Sequence, residues 1–391
     1  MTKEGGSGCL AREGSGKIRP AHSGGETVAP TKPLRVLQVI SSSATSGAER
    51  HVYSLASLLQ QRGHYVEVVT PTDGWLPSVL SESRIPNTVS FMKGAGWSRT
   101  MAYLLREVRR KKIDVIHTHL TRAAYIGYTA GLLGRVPVVT SVHIANNDQI
   151  YRRLARRNNR LIAVSNYVRG MLHGRGIADR YIDTVYNGTD FVEFETSMPE
   201  SVKDELGIPR ERKLIGLVGR VCREKGHLEM VQALGSLRSQ HPDAHVVFVG
   251  RIEAPFEEEL DHAVQEAGVA DRLTMTGIRH DVPRMLDSFT LSAMPSHIET
   301  FGVAAIEAMA RGRAVVASNV GGLPEVVRHR QTGILVDLRP DAIAEAVNEL
   351  LENDRQREDM GAMGRRVVEQ KFTLQEMVRR LENVYERAAR S

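Results

Sequence analysis

Cysteine is nearly absent, with two in 391 residues, Cys9 and Cys222. Two cannot build a disulfide framework, and a reducing, cytoplasmic setting fits. No apolar run reaches the ~18 residues of a membrane-spanning helix. The stretch from Met1 to Lys32 is rich in Gly and Ser and holds no apolar core, so it does not read as a secretory signal. It is expected to be a disordered tail. Aromatic residues make up only 5% of the chain. That is sparse for stacking platforms, and nucleic acid is not an expected partner.

What is present is ordinary for a globular protein, with 41% hydrophobic and 25% charged residues in a length that suits two domains. The net charge of +6 is unevenly spread. Between Gly96 and Arg180 sixteen Lys or Arg face four acids, a local excess of +12. Such a block suggests an anionic partner. Arg106, Arg109, Arg110, Lys111 and Lys112 end one helix-like run. Arg152, Arg153, Arg156, Arg157 and Arg160 recur at spacings that place them on one helical face, with Tyr103, Leu104, Leu105, Tyr151 and Leu154 as apolar neighbours. An anionic membrane surface is one partner this mix suits.

Short apolar runs alternate with helix-like segments. Leu34 to Ile40, a Gly-containing loop, a helix from about Ala48 to Gln61 and a strand from Tyr65 to Thr70 form a parallel βαβ start. Further strands are expected at Ile113–Ile116, Val136–Ser141, Leu161–Val164 and Asp183–Tyr186. The pattern breaks near Asn187 to Pro199 and restarts with Lys213–Val218, followed by strands at His245–Val249, Arg272–Thr276, Leu291–Met294, Ala314–Ala317 and Gly333–Val336. The expectation is α/β, two Rossmann-like domains at 33–196 and 197–372. A last helix at 373–391 is expected to pack back toward the first domain.

Several motifs lie at the ends of these strands, where open α/β sheets bind ligands. Glu299-Thr300-Phe301-Gly302-Val303-Ala304-Ala305-Ile306-Glu307 sets two carboxylates eight residues apart, with backbone N–H groups of Gly302 and Val303 at a helix start. Taken alone, this is as well explained by solvated carboxylates. Gly219-Arg220-Val221-Cys222-Arg223-Glu224-Lys225-Gly226 follows a strand; its Arg and Lys can fold over a diphosphate and steady the charge of a departing one. Asp114-Val115-Ile116-His117-Thr118-His119 puts two histidines just past a strand, read as lying on opposite sides of the backbone. His143 ends the next strand and faces the same cleft. A His-x-His pair is also a metal-ligand spacing, but apart from Asp114 no carboxylate or cysteine lies close by in sequence, and His117 reads as structural.

Gly47-Ala48-Glu49-Arg50, the basic loop and the Glu-x7-Glu stretch, in this order and spacing along the chain, resemble retaining glycosyltransferases of the GT-B fold, family 4 in particular. Ser46 stands where that family often has a first glycine. The resemblance runs from about Leu34 to Tyr385 and includes Gly321-Gly322-Leu323-Pro324-Glu325 and Thr332-Gly333-Ile334-Leu335-Val336. It implies an active site in the cleft between the two domains. Arg220 and Lys225 would lie on the donor phosphates, Glu299 on the donor sugar and Glu307 on the ribose. His119 would lie near the reactive carbon, able to hydrogen-bond the sugar or acceptor and to titrate near neutral pH. His143 would be on the acceptor side. Gly47, Phe301, Gly302, Val303 and the loop at Ile278 would complete the donor site, the last through backbone groups. No Asp-x-Asp occurs, which argues against the metal-dependent single-domain class, so neither metal nor other cofactor is expected. The implied activity is sugar transfer from a UDP- or GDP-sugar with retention of configuration. The acceptor would be lipid-linked or anionic, in lipid-linked glycan, lipopolysaccharide or exopolysaccharide synthesis, in the cytoplasm or at the inner membrane face. The alternatives are a nucleotide-sugar 2-epimerase of the same fold and a non-catalytic membrane-surface binder.

Overall fold

Fully buried runs such as Val-Ile-His-Thr-His at Val115–His119 and Val-Val-Thr-Ser-Val at Val138–Val142 can pair only inside a parallel sheet covered on both faces. The computed structural model describes residues 32–44, 47–94, 96–143, 149–191 and 200–390. The expected tail but for Lys32, Cys9, Ser46 and residues 192–199 of the expected boundary lie outside the described residues.

The first sheet is built from β1 (Arg35–Ile40), β2 (Tyr65–Thr70), β3 (Asn87–Val89), β4 (Val115–His119), β5 (Val138–Val142), β6 (Arg160–Ala163) and β7 (Ile182–Thr184), in the order β3-β2-β1-β4-β5-β6-β7. The second holds β8 (Lys213–Val218), β9 (Ala244–Val249), β10 (Leu273–Met275), β11 (Leu291–Met294), β12 (Val315–Ser318) and β13 (Gly333–Val336), in the order β10-β9-β8-β11-β12-β13. Every pairing between these strands is parallel. These are two doubly wound, Rossmann-like sheets. In each, the chain builds outward in one direction and then restarts on the other side of its first strand. The switch points therefore fall between β1 and β4 and between β8 and β11, and a ligand crevice opens at their carboxyl ends.

The helix Leu374–Arg390 does not stay with the second sheet. Its apolar stripe of Met377, Val378, Leu381, Val384 and Tyr385 is buried in one cluster with Val52, Leu55 and Leu59 of the helix Gly47–Gln61 and with Val36 and Ile40 of β1. Glu382 on that helix takes hydrogen bonds from Arg62 at 2.6 Å and 2.8 Å and lies 2.9 Å from His64 Nε2. The return is tied where Thr189 N–H donates to the Phe372 carbonyl (2.9 Å) and Leu374 N–H to that of Thr189 (3.2 Å).

Three local expectations are corrected. His117 and His119 lie inside β4, not past it, and on the same side of it, because side chains two apart on a strand share a face. Their rings are 4.1 Å apart. The arginines from Arg152 to Arg160 do not share a helix, which here spans only Ile150–Leu154; Arg157 takes φ 54° in the turn that follows, and Arg160 opens β6. Tyr151, Leu104 and Leu154 are buried in the core and contribute nothing to an exposed surface.

Candidate active site

Four loops leave the two switch points. The helix after β1 brings Gly47 and His51, and the end of β4 itself the histidines; the loops after β8 and β11 bring the basic loop and Glu299. Gly226 closes the basic loop at φ 72°, and a Cβ there would sit 1.7 Å from the Pro295 carbonyl oxygen, so the loop lies directly on the segment that follows β11. That contact sets Lys225 Nζ 2.6 Å from Glu299 Oε2, joining residues 74 apart in the chain. The other Glu299 oxygen accepts from Thr300 N–H at 3.1 Å. Gly321, at φ 57°, leaves no room for a side chain against the Glu299 carbonyl, which accepts from Gly322 N–H at 3.0 Å. Arg220 points outward and donates to Glu253.

Gly302, at φ 107°, precedes the helix Val303–Ala310, which carries Glu307 just over one turn in. Burial pushes the Glu307 carboxyl up to about 7; the Arg50 cation opposes this and Asp190 adds to it. The Phe301 side chain is enclosed, stacked on Tyr186 at 5.6 Å and edge-on to Phe372 at 5.7 Å, so only its backbone is available to a ligand. Ile278 is exposed on the loop after β10, beside Arg279, whose carbonyl lies 3.5 Å from Arg50 Nη2. Gly47 is exposed at the start of its helix.

The facing wall is made of imidazoles. His117 is held on both nitrogens, by Tyr385 Oη at 2.6 Å and Ser141 Oγ at 2.9 Å, and is structural. His119 is fully enclosed, with Nδ1 3.3 Å from His143 Nε2. His51 completes the group, its ring 4.9 Å from that of His143 and 5.6 Å from that of His119. Burial is the main reason all four resist protonation: His117 is lowered to about 3, His143 to about 4, and His51 and His119 well below the ordinary range. The expectation that His119 titrates near neutral pH is therefore corrected: burial holds its pKa well below the ordinary range and favours the neutral ring.

The two walls touch. Thr300, next to Glu299, donates from Oγ1 to the His143 carbonyl at 2.9 Å, and its own carbonyl accepts from Ser165 Oγ at 2.5 Å. Glu325 of the second domain accepts from Asn166 N–H (2.8 Å), Tyr167 N–H (2.7 Å) and Tyr186 Oη (3.0 Å), capping the first-domain helix Asn166–Gly174. His51, Arg50, Ser165 and Glu325 were not singled out by sequence reasoning. Glu325 was within reach, as the only carboxylate of the Gly-Gly-Leu-Pro-Glu stretch.

Two facing switch points, one lined by a basic loop and a carboxylate pair and the other by imidazoles, define a GT-B glycosyltransferase. Residues 45–193 match the model of Glycosyltransferase Family 4, and residues 199–367 that of Glycosyl transferases group 1. The chain belongs to the group 1 glycosyltransferases of the family 4 type. It is 28% identical over 367 residues to the D-inositol 3-phosphate glycosyltransferase of Corynebacterium glutamicum (strain R), covering 83% of this chain and 88% of that one. It is 26% identical over 351 residues to the N-acetyl-alpha-D-glucosaminyl L-malate synthase of Bacillus anthracis, covering 85% and 91%. The crystal structure of Anabaena Alr3699/HepE in complex with UDP and glucose matches with a TM-score of 0.81 at 22% identity, over 90% of this chain and 98% of that one, a likeness of fold.

Proposed function

We propose that this glycosyltransferase moves a hexose from a nucleotide-sugar, with UDP as the nucleotide, onto a lipid-linked or anionic acceptor with retention of configuration. One observation carries the reading: Lys225 and Glu299 meet at 2.6 Å at the mouth of the second switch point, and Thr300 ties that point to His143 across the cleft. The UDP and glucose bound by the Anabaena protein support the choice of donor.

In this reading the donor diphosphate draws Arg220 away from Glu253 and lies against Lys225, while Glu299 takes sugar hydroxyls and Glu307 the ribose. Backbone groups near Ile278 meet the base, and those of Gly302 and Val303 add N–H donors. The bond from the anomeric carbon to the phosphate oxygen breaks as the acceptor oxygen bonds that carbon on the same face. The acceptor's proton passes to the departing phosphate. Arg220 and Lys225 steady the growing negative charge, and no carboxylate need act as nucleophile. The neutral His119 and the neighbouring His143 offer hydrogen bonds to sugar and acceptor without adding charge. Membership of a transferase family leaves the epimerase and non-catalytic alternatives without support.

The test is a melting-temperature screen with UDP, GDP and their glucose and mannose conjugates, with and without a chelator. A ligand that binds only the folded state raises the midpoint by mass action. UDP and a UDP-sugar should do so, and the shift should survive chelation. If no nucleotide shifts melting, or chelation abolishes the shift, the donor site is misassigned.

A further inference from the structure

Three of the four histidines on the first-domain wall share a geometry beyond the hydrogen bonds that sugar transfer asks of His119 and His143. One ligand nitrogen from each of His51, His119 and His143 lies within 4.8 Å of the others. The closest pair, His119 Nδ1 and His143 Nε2, is 3.3 Å apart. That is long for a hydrogen bond between nitrogens. It equals the edge of a tetrahedron around an ion at zinc–nitrogen distance, about 3.3 Å for bonds of about 2.0–2.1 Å. His51 Nε2 is sealed from solvent and has no hydrogen-bond partner; His119 Nε2 is likewise unpartnered, while the Nδ1 of that ring is the nitrogen that faces His143. Buried polar atoms are usually satisfied, so the orphaned His51 Nε2 beside the His119–His143 pair points to a missing partner. His117 is the contrast, since both its nitrogens are engaged.

We propose that His51, His119 and His143 form a binding site for a zinc-class divalent cation. Three imidazole donors and no carboxylate suit zinc, cobalt, nickel or copper and disfavour magnesium and calcium. His119 closes the buried side, while His51 and His143 are partly exposed. Three protein ligands with a fourth position toward the cleft are the pattern of an exchangeable site, open to a water or an acceptor oxygen, and not of a closed structural one. A second cluster, Cys222, Glu224 and Glu253, has similar spacing, but its charge is already met by Arg220, which pairs with Glu253. The proposal rests on the spacing of the cluster itself, which shares His119 and His143 with the sugar-transfer reading but not Lys225 and Arg220 of the donor loop.

The experiment uses the full chain, stripped with chelator and titrated with zinc alone by equilibrium dialysis, then with cobalt followed by its visible spectrum. One equivalent of zinc should bind, and bound cobalt should give the intense absorption of four-coordinate nitrogen ligation. His51→Ala and His143→Ala should each weaken zinc binding by more than the ~10–100-fold that loss of an outer-sphere partner costs. Replacing the exposed His262, which lies beside Glu266, should change nothing. The UDP melting shift, read on the same samples, reports the fold and the donor site separately. Zinc binding that is absent, or indifferent to both His51→Ala and His143→Ala while the UDP shift persists, overturns the site.

Discussion

Lys225 and Arg220 carry the same charge into the same loop but stand in different surroundings. Arg220 is over half exposed and holds the surface carboxylate Glu253, whereas Lys225 neutralises Glu299, whose side chain is only 13% exposed. Arg220→Ala and Lys225→Ala should each cut turnover at least ~100-fold, roughly 3 kcal/mol of lost charge stabilisation. Lys225→Ala should also lower the melting temperature, because it strands a largely buried carboxylate at a cost of about 1–3 kcal/mol. Near-normal turnover in both variants would remove the loop from the chemistry, and equal melting would remove the Lys225–Glu299 pair. Glu307 gives a pH test. Its folded carboxyl is raised to about 7 from an ordinary value near 4.5. The protonated form therefore favours the fold, and that stability is present below about 4.5 and lost as pH rises through 7. Ribose hydroxyls hydrogen-bond better to the carboxylate, so UDP-glucose, which has no ionisation of its own in this range, should bind more tightly at pH 8 than at pH 6. Glu307→Gln should flatten that dependence and melt higher than wild type at pH 8 but not at pH 4.5. A slope that persists in the variant belongs to another group.

The helix Asn166–Gly174 and the segment around Glu325 are the elements that join the domains. Ser165 caps the helix by accepting from Val168 N–H at 3.1 Å and donates its own hydrogen to the Thr300 carbonyl. Glu325 fills the remaining first-turn donors from across the cleft. Glu325→Ala should loosen closure, raising the acceptor KM and the protease sensitivity of the cleft while leaving UDP affinity within about 2-fold, since the Glu325 side chain bonds Asn166, Tyr167 and Tyr186 and not the donor loop. An unchanged KM and cleavage pattern would make the contact incidental. Elements like these explain what could be read beforehand. β2, β8, β11 and β13 are apolar runs between turn formers, and their bounds were legible from composition. β3 is three residues of Asn, Thr and Val, held only by pairing with β2, and carries no apolar signal of its own. The helix Asp354–Lys371 was missed because its surface is charged and its buried side includes Gly361 and Gly364, which read as breakers but seat it closely on Gly312 and Met309. The donor motifs were legible because consecutive residues carry them. The histidine group was only half legible, since a helix and two strand ends supply it, and His51 looks like any polar helix residue until the helix is laid on the sheet.

For the whole molecule the uneven charge becomes a surface question. Among the described residues no helix is long and apolar enough to cross a membrane. The helix Gly96–Arg110 exposes Arg99, Arg106 and Arg109, and Phe91 and Trp97 are exposed at its approach, 54% and 39% accessible. Basic residues near an anionic bilayer contribute about 1 kcal/mol each, and exposed aromatics suit its interface. The enzyme should sediment with vesicles rich in anionic lipid, less so at moderate salt, and less again when Trp97 becomes Ser and Arg99, Arg106 and Arg109 become Gln. Sedimentation indifferent to lipid charge would leave only a soluble acceptor. The returning helix Leu374–Arg390 has a consequence for how the molecule comes into being. On the ribosome, chain emerges in order, and domains generally fold as they appear. The first sheet here emerges first, yet the face over Val36, Val52 and Leu55 stays open until Tyr385 and its neighbours arrive. The second sheet has by then all of its strands. The domain begun first is thus completed last, and during synthesis its half-covered sheet is the surface most in need of a chaperone.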